Sequence, residues 1–472
     1  MMTILLDHIS LASGRKYRQI SEGIQTAIAA GRLQPGDRLP PQRELADALG
    51  VTLGTVSRAY REMDDLGLTK GEIGRGTFVA RREEDEFTLH TLHNRPDRDT
   101  TDCIRFDLNF PVPEGTPDLA AMLADLSHRQ ALDEMLRYQP TAGLMRHRRA
   151  ACRWLERLNM PAVPENLAIT TGAQHALFAA LASQLAPGDA LAVDGYTYPG
   201  LINLAGVLHL RLVPVEGDSE GMRPDALAKA AARHRLKGVY LIPTLHNPTT
   251  ITMSRERRQE LAEVIRRLDL SLIEDDVYGG MEQEAQTPIA AAVPERSLYL
   301  TNLSKTLAPG LRLGFLVVPE GLRAAVERVM AASIWMNPPL MAEIGARWID
   351  DGTADRVIVC KRRAVERRMA IVAGKLAGHE LHYRPGSLQG WLRLPPPWTG
   401  ETFARQAAAQ GVQVIPSSNF STFGSFSANG QQPVEAVRIC IGPPKNEAET
   451  SRGAEILAAI LAKSPGRREP FM

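Results

Sequence analysis

The sequence predicts an α/β protein in two modules. A small N-terminal helical module closed by a β-hairpin precedes a large module built on a mainly parallel sheet. Three observations predict this. The chain has 472 residues, more than one ordinary domain holds. Its first part shows apolar residues at helical spacing, and beyond Phe106 short apolar runs alternate with helical stretches. Between the two lies a segment dense in charge, with neither the helical nor the strand period. The expected boundaries are 12–80 for the head, 81–104 for a solvated linker and 105–472 for the large module.

Composition narrows the class. Hydrophobic residues make up 44% of the chain and charged residues 23%, ordinary values for a globular protein able to bury large cores. The formal net charge of +1 does not argue against nucleic acid, because a basic patch can sit inside a neutral total. Cys103, Cys152, Cys360 and Cys440 lie far apart without a C-x-x-C pair, which speaks against a disulfide framework or a zinc site. The first residues lack a basic stretch followed by an apolar one, and no apolar run is long enough to span a bilayer. The expected setting is the cytoplasm, with no membrane contact and no metal.

In the head, Ile20, Ile24, Ala27 and Ile28 predict a helix over 16–30 that Gly31 ends. Residues 34–40 read as a turn, and Pro41 is placed to open a second helix over 42–49 that Gly50 terminates. Thr52 can cap a third helix running to Leu66, with Val56, Tyr60 and Met63 facing inward. Residues 70–79 read as a glycine-turned hairpin. Helix, helix, turn, helix and hairpin make a winged helix-turn-helix, whose second motif helix enters the DNA major groove by its N-terminal residues. Thr52, Thr55, Ser57 and Arg58 lie at or near that end. Arg38 and Arg43 are placed to hold the phosphate backbone, and Arg75 sits at the wing tip. The plain alternative is a small dimerisation module with solvated charges. Residue by residue, G-x-L-x-P-G-D-R-L-P-P-Q-R-E-L-A from Gly31 and G-V-T-x-x-T-V-x-R-A-Y from Gly50 resemble the GntR-type DNA-binding domain.

In the large module, strands are predicted over 167–170, 190–193, 238–242, 270–274, 297–300 and 314–318. Chemistry-bearing residues fall at their ends, where an open α/β sheet places ligands. Lys305 follows Ser304 in a segment punctuated by Pro309 and Gly310, so it belongs on a loop. Arg312 enters the apolar run 311–318, and a cation that close to a buried strand needs an anion to face. A surface lysine and a structural ion pair are the plain reading of each alone. Gly172, Ala173 and Gln174 open a helix after the first strand, where free backbone N–H groups can bind phosphate. Glu274, Asp275 and Asp276 emerge from an apolar strand, a pattern that marks a metal site or a protonated partner, and the metal reading lacks clustered His or Cys.

Taken together, S-K-x-x-x-P-G-x-R-x-G at 304–314 resembles the Schiff-base segment of fold-type I pyridoxal-phosphate enzymes. The resemblance implies a mainly parallel sheet with a smaller C-terminal α+β subdomain, and pyridoxal 5'-phosphate as cofactor. It makes Lys305 the Schiff-base residue and Arg312 a ligand of the cofactor phosphate. T-G-A-Q-x-A-L at 171–177 resembles the phosphate cup, and Tyr198 aligns with the aromatic that stacks on the ring, with Tyr196 as the fallback. Asn247, in an N-P-T turn, and Tyr278 would hydrogen-bond the phenolic oxygen, and Asp275 would keep the pyridine nitrogen protonated. Arg438 falls on the substrate-carboxylate arginine. Tyr138 falls on a tyrosine that reaches the phosphate of a neighbouring subunit, which implies a homodimer. Two departures are Thr250 in place of the glycine after N-P-T, and Asn302 in place of a Ser or Thr that contacts phosphate.

A GntR-type head joined to an aminotransferase-like module resembles the MocR/GabR family of bacterial transcriptional regulators. That resemblance implies an operator in double-stranded DNA, and an amine or amino-acid effector, or the cofactor itself, read through an aldimine at Lys305. The competing reading is a working aminotransferase that carries a DNA-binding head. The site residues alone leave both open; a recognition helix has no use in a purely metabolic enzyme.

Overall fold

A computed structural model describes residues 9, 16–29, 32–33, 36–65, 68–72, 76–79, 103–128, 132–422 and 434–463. The chain divides into two compact units, 1–101 and 102–472. The wing-tip Arg75 and nearly all of the expected linker lie outside the described residues.

In the first unit, α1 (Lys16–Ala29), α2 (Gln42–Leu49) and α3 (Leu53–Asp65) precede the strands β1 (Thr69–Glu72) and β2 (Gly76–Val79). Ile20, Ile24 and Ala27 are fully buried one helical turn apart, against Val56, Tyr60 and Met63 of α3. Gly50 ends α2 at φ 61°, a left-handed conformation that glycine adopts without a Cβ penalty. Thr52 Oγ1 accepts the Thr55 N–H at 3.3 Å, and the Tyr60 hydroxyl donates to Pro40 O at 2.8 Å, tying α3 to the preceding turn. β1 and β2 pair antiparallel, Thr69 opposite Val79, and Arg38 bridges to Phe78. The arrangement is a winged helix-turn-helix.

The second unit is built on seven strands. In chain order they are β3 (Leu167–Thr170), β4 (Ala190–Asp194), β5 (Arg211–Val215), β6 (Leu236–Leu241), β7 (Ser271–Asp275), β8 (Ser297–Asn302) and β9 (Gly314–Val317). Their spatial order is β3-β9-β8-β7-β6-β4-β5, parallel except for β9, which lies antiparallel between β3 and β8. Between strands, α4 (Ala173–Gln184) follows β3 and α5 (Pro199–Val207) follows β4. The central strands are buried over nearly all their length, so they read as largely apolar runs. The edge strand β5 is absent from the strands expected above: it is half exposed and carries Pro214, which weakens a strand signal.

A second, antiparallel sheet comes from the C-terminal part: β10 (Leu381–His382), β11 (Gln389–Arg393), β12 (Ile415–Pro416) and β13 (Ala436–Cys440), ordered β10-β11-β13-β12. The helices α6 (Thr353–Lys375) and α7 (Glu447–Leu461) pack on each other beside it. Arg368 of α6 is completely buried, donating to Glu114 at 2.9 Å and to the carbonyls of Ile441 and Pro444 at 3.0 and 2.8 Å. Lys361 donates to Val112 O at 2.6 Å. These two buried cations hold the strap over 107–114 in place, and that strap supplies groups to the site described next. Among the described residues no helix is long and apolar enough to cross a membrane, and no His, Cys, Asp and Glu group could hold a metal ion.

Candidate functional site

The C-terminal ends of β6, β7 and β8 and the turns beyond them gather the polar residues. Lys305 lies in the turn after β8, as a loop lysine should, and its ammonium donates to the Asn109 carbonyl of the strap. Burial lowers its pKa to about 8, with Arg438 and Arg312 adding to the shift and Cys440 and Asp275 opposing it. Asp275 closes β7 and is 4% exposed. Its Oδ2 accepts from the Tyr240 hydroxyl at 2.7 Å, while Oδ1 is buried without a partner. Burial raises this carboxyl to about 7. A carboxylate with one buried oxygen unmet is arranged for a cationic N–H, such as a protonated ring nitrogen.

Asn247 and Arg438 form a second pair. Arg438, on β13, donates to Asn247 Oδ1 and to Asp107 O, both at 2.8 Å, and lies 4.8 Å over the Phe420 ring. Its Nε–H is buried without an acceptor, and a carboxylate would satisfy it. With Asn247 Oδ1 engaged, the amide NH2 is the end left to donate. The Tyr278 hydroxyl accepts from Asn109 Nδ2 at 2.9 Å and keeps its own proton for an oxygen acceptor.

A glycine turn with the Arg312 guanidinium beside it opens α4. Gly172 has φ 82° and ψ 172°, and a Cβ there would come within 2.6 Å of Arg312 Nη2. The first N–H groups of α4 have no intrahelical partner and point outward along the positive end of its dipole. Arg312 is exposed and only loosely tied, with Nη2 3.5 Å from Thr171 O. It stands just ahead of β9 in a left-handed conformation, φ 48° and ψ 44°. That twist is what swings its side chain back toward Gly172. The Ser304 hydroxyl is buried and without a partner.

Some expected ligands are engaged within the chain. Gln174 Oε1 accepts from the Tyr198 hydroxyl at 3.0 Å and Nε2 donates to Gly200 O at 3.1 Å, so its side chain positions Tyr198 and leaves its backbone N–H for an anion. Asn302 Oδ1 accepts the Ser304 N–H at 2.9 Å, bracing the turn before Lys305. Tyr196, the fallback stacking residue, binds Val434 through its hydroxyl and packs on Trp391 at 5.8 Å. Tyr138 is 85% exposed, edge-on to Trp335 at 6.3 Å. Asn109, Tyr240, Asp107 and Phe420 carry no signal in the sequence, because each acts on a partner distant along the chain and none sits in a punctuated motif.

In the head, Arg43, Thr52 and Arg58 are exposed or half-buried, and the Arg58 guanidinium lies 4.0 Å over the Tyr17 ring. The Arg38 guanidinium lies alongside Gly76. Thr55 Oγ1 is 2.9 Å from Thr52 Oγ1, and the Ser57 hydroxyl donates to Gln42 Oε1 at 2.6 Å, cross-linking α3 to α2.

Unmet Asp275 Oδ1, the glycine cradle beside Arg312 and the partly buried lysine fit pyridoxal 5'-phosphate, the cofactor of this fold. The class is set on both sides. Residues 101–457 match the family "Aminotransferase class I and II", and residues 16–79 match "Bacterial regulatory proteins, gntR family". The chain belongs to the MocR/GabR family of GntR-type transcriptional regulators, winged helices joined to an aminotransferase-like module. It is 31% identical to the HTH-type transcriptional regulator YdeF of Bacillus subtilis (strain 168), over 94% of this chain and 94% of that one. It is 28% identical to PtsJ of Salmonella typhimurium, a vitamin B6 salvage pathway transcriptional repressor, over 89% of this chain and 99% of that one. In fold it resembles LysN, the alpha-aminoadipate aminotransferase of Thermus thermophilus, with TM-score 0.68 at 24% identity over 76% of this chain and 92% of that one.

Proposed function

We propose that this regulator senses an amine or amino acid, or the cofactor itself, at the Lys305 cluster and converts occupancy into a change in operator affinity. The observation that carries the reading is the convergence of Lys305 and Asp275, at the C-terminal ends of β8 and β7, with Arg438 of the second sheet, in a chain that also has a recognition helix. When bound, the cofactor supplies an aldehyde for a primary amine and an electron-withdrawing ring. Lys305, lowered to about 8, keeps part of its population as the free amine near neutral pH, the form that could condense with such an aldehyde. Asp275 Oδ1 would accept the ring nitrogen's N–H, and Asn247 and Tyr278 would donate to the phenolic oxygen. Tyr198, fixed by Gln174, would pack on the ring. The Ala173 and Gln174 N–H groups, Ser304 and Arg312 would hold the phosphate. Arg438 receives the effector's carboxylate.

Homodimerisation belongs to the same proposal. Leu136, Tyr138 and Trp335 are 90%, 85% and 61% exposed, an apolar group suited to a second copy, in which Tyr138 would complete the neighbour's phosphate site. Two heads would then read two half-sites. On DNA, Arg43, Thr52, Thr55 and Arg58 are the proposed contacts of α3 and its surroundings, with Arg38 beside the wing.

The test is spectroscopic. Protein incubated with pyridoxal phosphate should gain a visible absorbance band, and a panel of amines should include one that shifts it. Steady-state turnover with an amino donor and a keto acid, set beside operator binding, separates this reading from the aminotransferase one. No band in the wild type refutes the site; efficient turnover with no operator binding favours the enzyme.

A further inference from the structure

A separate cavity of about 850 Å³ lies where the ends of β4 and β6 approach β10 and β11. None of Lys305, Asp275, Asn247, Tyr278 or Arg438 lines it. Its walls include Asp194, His246, Tyr196, Trp391, Ile242 and Met253. Asp194 is 9% exposed and His246 5%. Asp194 Oδ2 and His246 Nε2 face each other 3.6 Å apart, too far for a hydrogen bond, and both atoms are buried without a hydrogen-bond partner. Two buried polar groups left unmet side by side are costly unless something occupies the gap.

The surroundings define what fits. Ionised, as it mostly is at pH 8, Asp194 offers only an acceptor. Burial lowers the His246 imidazole to about 4, so it is neutral at physiological pH. The other charged walls are already paired or exposed: Asp218 with Arg257 at 2.9 Å, Arg393 with Glu380 at 2.7 Å, His382 with Glu380 at 3.0 Å, and Arg384 at the exposed rim. Burial also raises Asp194 itself to about 7, the sign of a carboxyl lacking a counter-charge. Tyr196 and Trp391 add two aromatic rings, 5.8 Å apart, and aromatic faces attract cations.

We propose that this cavity is a second small-molecule site, taking an organic ammonium ion whose N–H donates to Asp194 and whose apolar body rests on Tyr196 and Trp391. The site adjoins the first one without sharing its side chains. His246 precedes Asn247 in the chain, and Trp391 is the cross-strand partner of Arg438.

The probe is N,N-dimethylbenzylammonium, which keeps one N–H but cannot condense with an aldehyde. Calorimetric titration of the cofactor-loaded full chain at pH 8 should show saturable binding with the visible band unchanged. Asp194→Asn should weaken it by about tenfold or more, the scale of a lost charged hydrogen bond. Benzyl alcohol and benzoate should bind the wild type at least about tenfold more weakly than the ammonium, a comparison that needs no variant to fold. No binding of the probe, equal binding by Asp194→Asn, or equal binding of the neutral and anionic probes would overturn the proposal and leave only a water between Asp194 and His246. Because the probe bypasses Lys305, calorimetry and the visible band report the two sites separately.

Discussion

Gly172→Ala tests the phosphate cradle. The position has φ 82° and ψ 172°, a region nearly closed to residues with a Cβ. Forcing alanine there costs about 1–3 kcal/mol of stability. The new Cβ would also sit 2.6 Å from Arg312 Nη2 and 2.9 Å from its Cζ, so the guanidinium must leave. Losing one charged hydrogen bond to phosphate costs about 1.5–3 kcal/mol, or about ten- to a hundredfold in the cofactor dissociation constant. Absorbance titration of apo-protein with pyridoxal phosphate measures that constant, and urea denaturation of the apo form measures the strain separately. Arg312→Ala should weaken cofactor binding to a similar degree. The double variant should lose much less than the sum, because both changes remove the same contact. Wild-type affinity in Gly172→Ala, or full additivity in the double variant, would refute the cradle.

Tyr240→Phe removes the hydroxyl that favours the Asp275 carboxylate, so the carboxyl, already at about 7, should rise further. Since the charged form pairs with a protonated ring nitrogen, cofactor affinity should fall most below pH 7 and recover toward about pH 9, where the carboxylate is regained; a pH-independent loss counts against this role. Arg43→Ala should weaken operator binding across sequences and reduce its salt dependence, while Arg58→Ala should alter sequence preference or affinity, both read by fluorescence anisotropy at several salt concentrations. Leu136→Asp, at a side chain 90% exposed in the single chain, should leave the melting of each unit nearly unchanged yet shift sedimentation toward monomer; an unaltered dimer would place the interface elsewhere.

Much of the fold is legible in the sequence because its signals are local. The continuous apolar strands β4, β6, β7 and β8 and the glycine stop at Gly50 stand out in a short window. The turn bearing Lys305 and the glycine opening α4 are legible for the same reason. What escapes depends on distance along the chain. Asn109 meets Tyr278 across 169 positions and Arg438 meets Asp107 across 331, and no pattern joins such residues. Apolar neighbours make the run from 311 to 318 strand-like apart from Arg312, whose left-handed backbone is set by the turn before β9. Asn302 and Gln174 have side chains suited to phosphate, yet the nearest partners, a backbone N–H and the Tyr198 hydroxyl, claim them. His246 stands in no sequence pattern that singles it out, because the residue it faces, Asp194, closes β4.

The most direct test measures operator affinity by fluorescence anisotropy for cofactor-loaded protein, with and without the amino acid that shifts its visible band. A ligand can move the equilibrium only by its differential affinity for two arrangements of the protein. The account predicts a change in the operator dissociation constant in the wild type, abolished in Lys305→Ala and weakened in Arg438→Ala with cofactor binding spared. An operator affinity indifferent to cofactor and to every band-shifting amine, or a response of equal size in Lys305→Ala, would contradict it.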